Sequence, residues 1–175
     1  MLVHHINQNR FKEAIEVLKQ RENELKDPSS HNIYYKYASA LLVHEPALTT
    51  ALFIRSPWLE PRLLLPAWMH YQQQLQVTPK APIGFKSAAK GNVDLTVQEN
   101  HAVKYFEWAV ARLKSTDMAV HNYLLSLYVE LPDPAPLINF IKQRDTFFDL
   151  EYALRLCTKY NKTHACVLLY RSVNY

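Results

Sequence analysis

Cysteine and histidine have the widest chemical reach of any residues in this sequence, and neither falls at a working spacing. Cys157 and Cys166 sit nine residues apart, without the CxxC or CxH pattern that holds zinc, and two cysteines are too few for the disulfide framework of a small secreted domain. A reducing, intracellular compartment is expected. The eight histidines are His4, His5, His31, His44, His70, His101, His121 and His164, and no two form HxxxH or HxxE on one helix face. They are expected to be surface or hydrogen-bonded structural residues, with no metal site. A cysteine nucleophile needs a base and an orienting partner. His164 and Cys166 are close in sequence, but residues two apart on a helix point to different faces. Both cysteines lie on apolar stripes and read as small buried hydrophobes.

Phosphate chemistry is excluded on other grounds. The chain has 175 residues and two glycines, Gly84 and Gly91, whereas GxGxxG and GxxxxGK[ST] loops need two or three close together so that backbone can approach phosphate. The GxSxG nucleophile elbow fails for the same reason. Tight β-hairpins lean on glycine in their turns, so sheet-rich folds lose ground as well. No catalytic residue and no cofactor is expected.

Charge is local. The net charge is +4, and between Glu60 and Asp94 there is no acid while Arg62, Lys80, Lys86 and Lys90 occur, so this stretch carries the entire excess. Nucleic-acid binders spread a stripe of lysines and arginines with aromatic platforms between them. Four charges scattered over this length do not make such a stripe, and no nucleic-acid partner is expected. The start lacks an apolar core of signal-peptide length, and the longest mostly apolar run, from Met118 to Val129, falls short of a membrane span.

Hydrophobic periodicity supplies the elements. Phe11, Ala14, Ile15 and Leu18 follow the i, i+3, i+4, i+7 rule of an amphipathic helix. The same octad returns as Phe106, Ala109, Val110, Leu113, as Val120, Tyr123, Leu124, Leu127, and as Leu150, Ala153, Leu154, Cys157. Helices are predicted at about 10–22, 31–43, 46–55 and 60–75, the last interrupted or offset by Pro66. Thr96 with Glu99 forms a capping box before the helix carrying His101 to Leu113, Thr116 caps the next, Asp133 before Pro134 opens another, and Asp149 caps the one after. Asn161 ends the helix of Leu150 to Tyr160 in the left-handed conformation.

Such short helices need neighbours to be stable. The recurring octad, with alanine where two helices can approach, favours a stack of hairpins over a closed bundle. The expected fold is all-α, an α-solenoid of stacked antiparallel helix hairpins of the clathrin-repeat or TPR-like kind, occupying residues 1–175 as one section of a longer array. Cys166, Leu169, Tyr170 and Val173 form a last stripe with nothing after it to cover them. Residues 77–93 hold Pro79, Pro82 and both glycines. They are expected to form a long, mostly disordered basic loop, able to dock on an acidic partner or anionic headgroups.

Most aromatics fall on the stripes. Trp58, Trp68, Phe85 and Phe147 do so less clearly, and aromatics not needed in a core are common interface anchors. With Lys80, Lys86 and Lys90 they make the candidate interaction surface.

Three stretches carry a resemblance. Thr116-Asp117-Met118-Ala119-Val120-His121-Asn122-Tyr123-Leu124-Leu125-Ser126-Leu127-Tyr128, then Tyr152-Ala153-Leu154-Arg155-Leu156-Cys157, then Ala165-Cys166-Val167-Leu168-Leu169-Tyr170, resemble the class C vacuolar protein sorting protein eighteen, or deep-orange, family. The segment from Phe11 to Tyr71, with Pro57-Trp58-Leu59-Glu60-Pro61-Arg62, matches more loosely. The resemblance implies a piece of the solenoid of a core subunit shared by the HOPS and CORVET tethering complexes, which join endosomes, lysosomes or vacuoles before fusion. It implies the other class C core subunits as partners, SNAREs or Rab-binding subunits indirectly, and a cytoplasmic chain held peripherally on late endosome, lysosome or vacuole membranes through its complex. The family's β-propeller and RING finger have no counterpart here, so neither zinc nor ligase activity is implied. A generic helical-repeat peptide-binding module is the alternative; it would show periodic asparagines and basic residues on a concave face, and no such set is present.

Overall fold

The computed structural model describes residues 2–77 and 100–173, in two compact units, Met1–Lys104 and Tyr105–Tyr175. Among the described residues every regular element is helical. The loop predicted over 77–93 lies outside them, except that Val77 closes a helix. The predicted Thr96–Glu99 capping box also lies outside them.

In the first unit the chain runs α1 (Leu2–Asn7), α2 (Phe11–Gln20), α3 (Glu22–Leu25), a 3₁₀ turn (Pro28–Ser30), α4 (Asn32–His44), α5 (Pro46–Arg55) and α6 (Pro61–Val77). The octad of α2 is buried at all four positions, Phe11, Ala14, Ile15 and Leu18. Its entry is set by Asn9, whose φ of 57° lies in the left-handed region that asparagine tolerates better than most residues. Helix α2 packs on α1, α4 and α5, and α4 packs on α5 and α6. Tyr34, Ala38, Leu41 and Leu42 of α4 meet Leu52 and Phe53 of α5 and Leu64 and Trp68 of α6 in the core.

Helix α5 starts on Pro46, whose missing N–H costs nothing in a first turn, and its buried hydroxyls are matched to carbonyls. Thr49 Oγ1 reaches Leu41 O at 2.9 Å and Glu45 O at 2.7 Å, and Ser56 Oγ donates to Leu52 O at 2.8 Å. Pro66 does not break α6, which runs on to Val77. It sits on the exposed face while Leu64 and Trp68 are buried, so core packing holds the helix through the lost hydrogen bond. Tyr35 Oη accepts from the Glu60 N–H at 2.9 Å, tying α4 to the start of α6.

The second unit holds the end of α7 (His101–Ala111), then α8 (Met118–Glu130), α9 (Ala135–Lys142), α10 (Leu150–Lys159) and α11 (Thr163–Val173). Short turns join α8 to α9 and α10 to α11, so each pair is a hairpin; α8 also packs on α10 and α9 on α11. One hairpin therefore lies on the next, like on like. This is the stacking unit of a solenoid. Ala153 and Cys157 of α10, and Ala165 and Leu169 of α11, face inward. Val167, Tyr170 and Val173 remain exposed on α11.

Aspartates set the helix starts. Asp117 accepts from Ala119 N at 2.9 Å, Asp133 from Ala135 N at 3.0 Å and Asp149 from Tyr152 N at 2.7 Å. The predicted cap at Thr116 is thus one residue early. A carboxylate satisfies the N–H groups and also meets the positive end of the helix dipole. Asn100 caps α7 by accepting from Val103 N at 3.1 Å. Asn161, with φ 56°, ends α10 as expected, and the Lys162 N–H reaches back to Cys157 O at 2.8 Å.

Candidate interaction surfaces

The reactive side chains are placed for packing. Cys157 is fully buried, and burial, with a smaller push from Cys166, raises its thiol to about 11. Cys166 is half-buried, with its Sγ 3.8 Å from Thr158 Oγ1. Among the described residues no group of three or more His, Cys, Asp or Glu is placed to hold a metal ion, and no helix is long and apolar enough to cross a membrane.

The predicted surface residues separate. Trp68 has no exposed area; it packs edge-to-face on Phe53 and Tyr71, with ring centroids at 6.2 and 6.0 Å. It is a core residue, and its place among the surface candidates is corrected. Helix α6 turns it inward because it follows Leu64 by four positions on the buried stripe. Trp58 is half-buried, lies under the Lys26 ammonium at 5.5 Å, and keeps its Nε1 buried without a hydrogen-bond partner. Lys80, Phe85, Lys86 and Lys90 lie outside the described residues.

Phe147 is the candidate placed on the surface, with 45% of its area exposed. It is held there by His121 of α8, which has no exposed area. The Phe147 N–H donates to His121 Nδ1 at 3.2 Å, and His121 Nε2 lies 2.8 Å from Ser115 O. The first bond requires a bare Nδ1, which assigns the proton to Nε2 and makes it the donor to Ser115. The imidazole stacks on Phe140 at 5.9 Å and meets the Phe147 ring edge-on at 5.4 Å. Beside it, Asn122 Oδ1 accepts from Asp149 N at 2.8 Å. Two side chains of α8 thus fix the 143–149 connection. Scattered histidines offer no sequence signal for this, since both partners are backbone groups, one more than twenty positions away and the other in a preceding turn.

Phe147 stands at the edge of a groove in the second unit. One lobe, of about 460 Å³, runs between α7, α8 and α9 over Val110, Ala111, Leu124 and Phe140, with Glu107 and Asp133 on its sides. The second lobe, of about 440 Å³, shares Val110, Ala111 and Gln143 with the first and continues to Lys114, Asp145 and Phe147. Glu107 is oriented by the Tyr128 hydroxyl, which donates to Oε1 at 2.7 Å. Burial, and then the neighbouring Glu107 carboxylate, push that phenol far above its ordinary range, so it stays a donor.

Known proteins are similar in sequence to this chain. Over residues 1–175 the chain matches the family described as VPS18, alpha-solenoid domain, second half. It is 31% identical to Vacuolar sorting protein 18 of Arabidopsis thaliana over 97% of its own length and 16% of that protein's. It is 28% identical to the Vacuolar protein sorting-associated protein 18 homolog of Danio rerio over 98% of this chain and 15% of that one. Against Vacuolar membrane protein pep3 of Schizosaccharomyces pombe the identity is 26%, over 85% and 16% respectively. The chain spans about one sixth of the length of these relatives. Stacked hairpins, the expected motif-bearing stretches in α8, α10 and α11, and a match over the full 175 residues lead to one assignment: the chain belongs to the VPS18 family, as the second half of its alpha-solenoid domain.

Proposed function

We propose that this chain is a scaffold section of a core subunit of the HOPS and CORVET membrane-tethering complexes, acting by shape and docking without making or breaking bonds. The observation that carries this is the family match over residues 1–175. Stacked hairpins form a stiff, extended support that sets distances between other parts of an assembly and offers side surfaces to them. The chain's partners are the other class C core subunits, with SNAREs and Rab-binding subunits reached indirectly. Vacuolar names among the relatives support a place on vacuole, late endosome or lysosome membranes, held peripherally through the complex.

The test is retention of each class C core subunit, expressed separately, on the immobilised 175-residue chain. At least one should be retained, and retention should be lost with an unfolding substitution such as Leu124→Asp. If none is retained, and a subunit lacking this section still assembles a full complex, the proposal fails.

A further inference from the structure

The groove on the second unit has a floor, a charge and an anchor that together specify an occupant. We propose that it seats a basic amphipathic helix from another protein chain, with the apolar face on Val110, Ala111 and Phe140 and the lysines or arginines against Glu107, Asp133 and Asp145.

The size fits first. Each lobe, at about 460 and 440 Å³, falls within the range of ligand-sized clefts, and the two adjoin at Val110, Ala111 and Gln143. A helix laid in a groove presents its apolar side chains at i, i+3, i+4 and i+7, which fills consecutive depressions along a line.

Charge decides the sign. Three carboxylates line the groove against one cation, Lys114, in a chain whose net charge is +4. None of the three forms an ion pair with a described lysine or arginine; the ion pairs of the described residues join other groups. Glu107 accepts from Tyr128 and Asp133 from the Ala135 N–H, which orients each carboxylate and leaves acceptor capacity for a ligand cation.

Phe147 supplies the anchor. It is exposed, yet its backbone is hydrogen-bonded to His121 and its ring rests on the imidazole, so little freedom is lost when a partner covers it. Aromatic anchors are common among the residues that carry binding energy, and one that is already ordered loses less freedom on binding.

The inference does not rest on membership of a tether: a chain that ignores class C subunits but binds the probe below refutes the one and keeps the other. The probe is a fluorescein-labelled synthetic helix of about 18 residues, with leucines at the groove-facing spacing and lysines elsewhere. Two controls replace its lysines by glutamates or scramble the leucine spacing. Anisotropy against the 175-residue chain should show micromolar binding of the lysine helix, weakening severalfold between low and physiological salt, with little binding of either control.

The combined variant E107Q/D133N/D145N should weaken binding about tenfold, and Phe147→Ala by a similar factor. A glutamine in place of Glu107 still accepts from Tyr128, and an asparagine in place of Asp133 still accepts from the Ala135 N–H. The melting temperature should therefore hold, and a binding loss reads as charge. Equal binding of the glutamate or scrambled helix, or an unweakened combined variant, overturns the proposal. So does binding that emerges only after residues 80–90 are deleted, which would make this chain's own lysines the occupant. A dimer of the free chain that Phe147→Ala dissolves would make a second copy the occupant and overturn it equally.

Discussion

At the scale of single residues, four side chains have roles with measurable consequences. Leu124 and Ala109 are almost wholly buried, so Leu124→Asp or Ala109→Asp places an unpaired carboxylate in an apolar contact. Each should cost several kcal/mol, a large share of a typical stability of ~5–15 kcal/mol, and a soluble variant with an unchanged melting temperature would contradict the packing. His121 satisfies two backbone groups from inside the core. His121→Leu orphans both and should cost about 2–4 kcal/mol in urea unfolding. The same substitution should raise amide exchange across residues 143–149. Cys157 has its thiol raised from 9.0 to about 11 in the folded chain. Folding therefore favours the neutral thiol, its contribution is intact below pH ~9, and it is lost as pH climbs from ~9 towards ~11. Alkylation at pH 8 should label Cys166 well before Cys157; equal rates would contradict the burial. Stripe positions are legible in the sequence because period alone places them. Trp68 is not, since the register of α6 across Pro66 decides which way it turns, and neither is the pairing of His121 with distant backbone.

At the scale of elements, caps and breaks carry most of the information, and their failures are physical. Asp133, Asp149 and Asn161 act where their residue types require. Thr116 and Asp117 are both good caps, and the carboxylate wins because it also answers the helix dipole. Asp149→Ala and Asp117→Ala should each destabilise the second unit by about 1 kcal/mol, and chemical denaturation monitored by far-ultraviolet circular dichroism would measure it. Pro66 reads as a break in the sequence because a lone helix would break there. Inside the first unit, Leu64 and Trp68 pack α6 against α4, and tertiary contact outweighs the missing hydrogen bond. Helix α3 and the 3₁₀ turn at Pro28–Ser30 are each a single turn, too short to generate a periodic stripe.

At the scale of the whole molecule, the repeat is the decisive signal. An octad that returns along the chain calls for helices that bury the same face in the same way, and the second unit meets that demand with hairpin α8/α9 lying on hairpin α10/α11. The groove is not legible at this scale, because it gathers Glu107, Asp133 and Asp145 from three separate stretches that only packing brings together. A solenoid section works through its side surfaces, so the proposed scaffold role requires that this stretch touch other subunits of the proposed tether. Cross-linking mass spectrometry with an amine-reactive reagent on the intact complex, containing the full-length subunit that carries this section, reads that directly. Links should run from lysines of the second unit, Lys114 beside the groove above all, to a basic helical stretch of another class C subunit, and E107Q/D133N/D145N should thin them. Links from these lysines to their own subunit alone, in a complex otherwise richly cross-linked, would contradict the scaffold role.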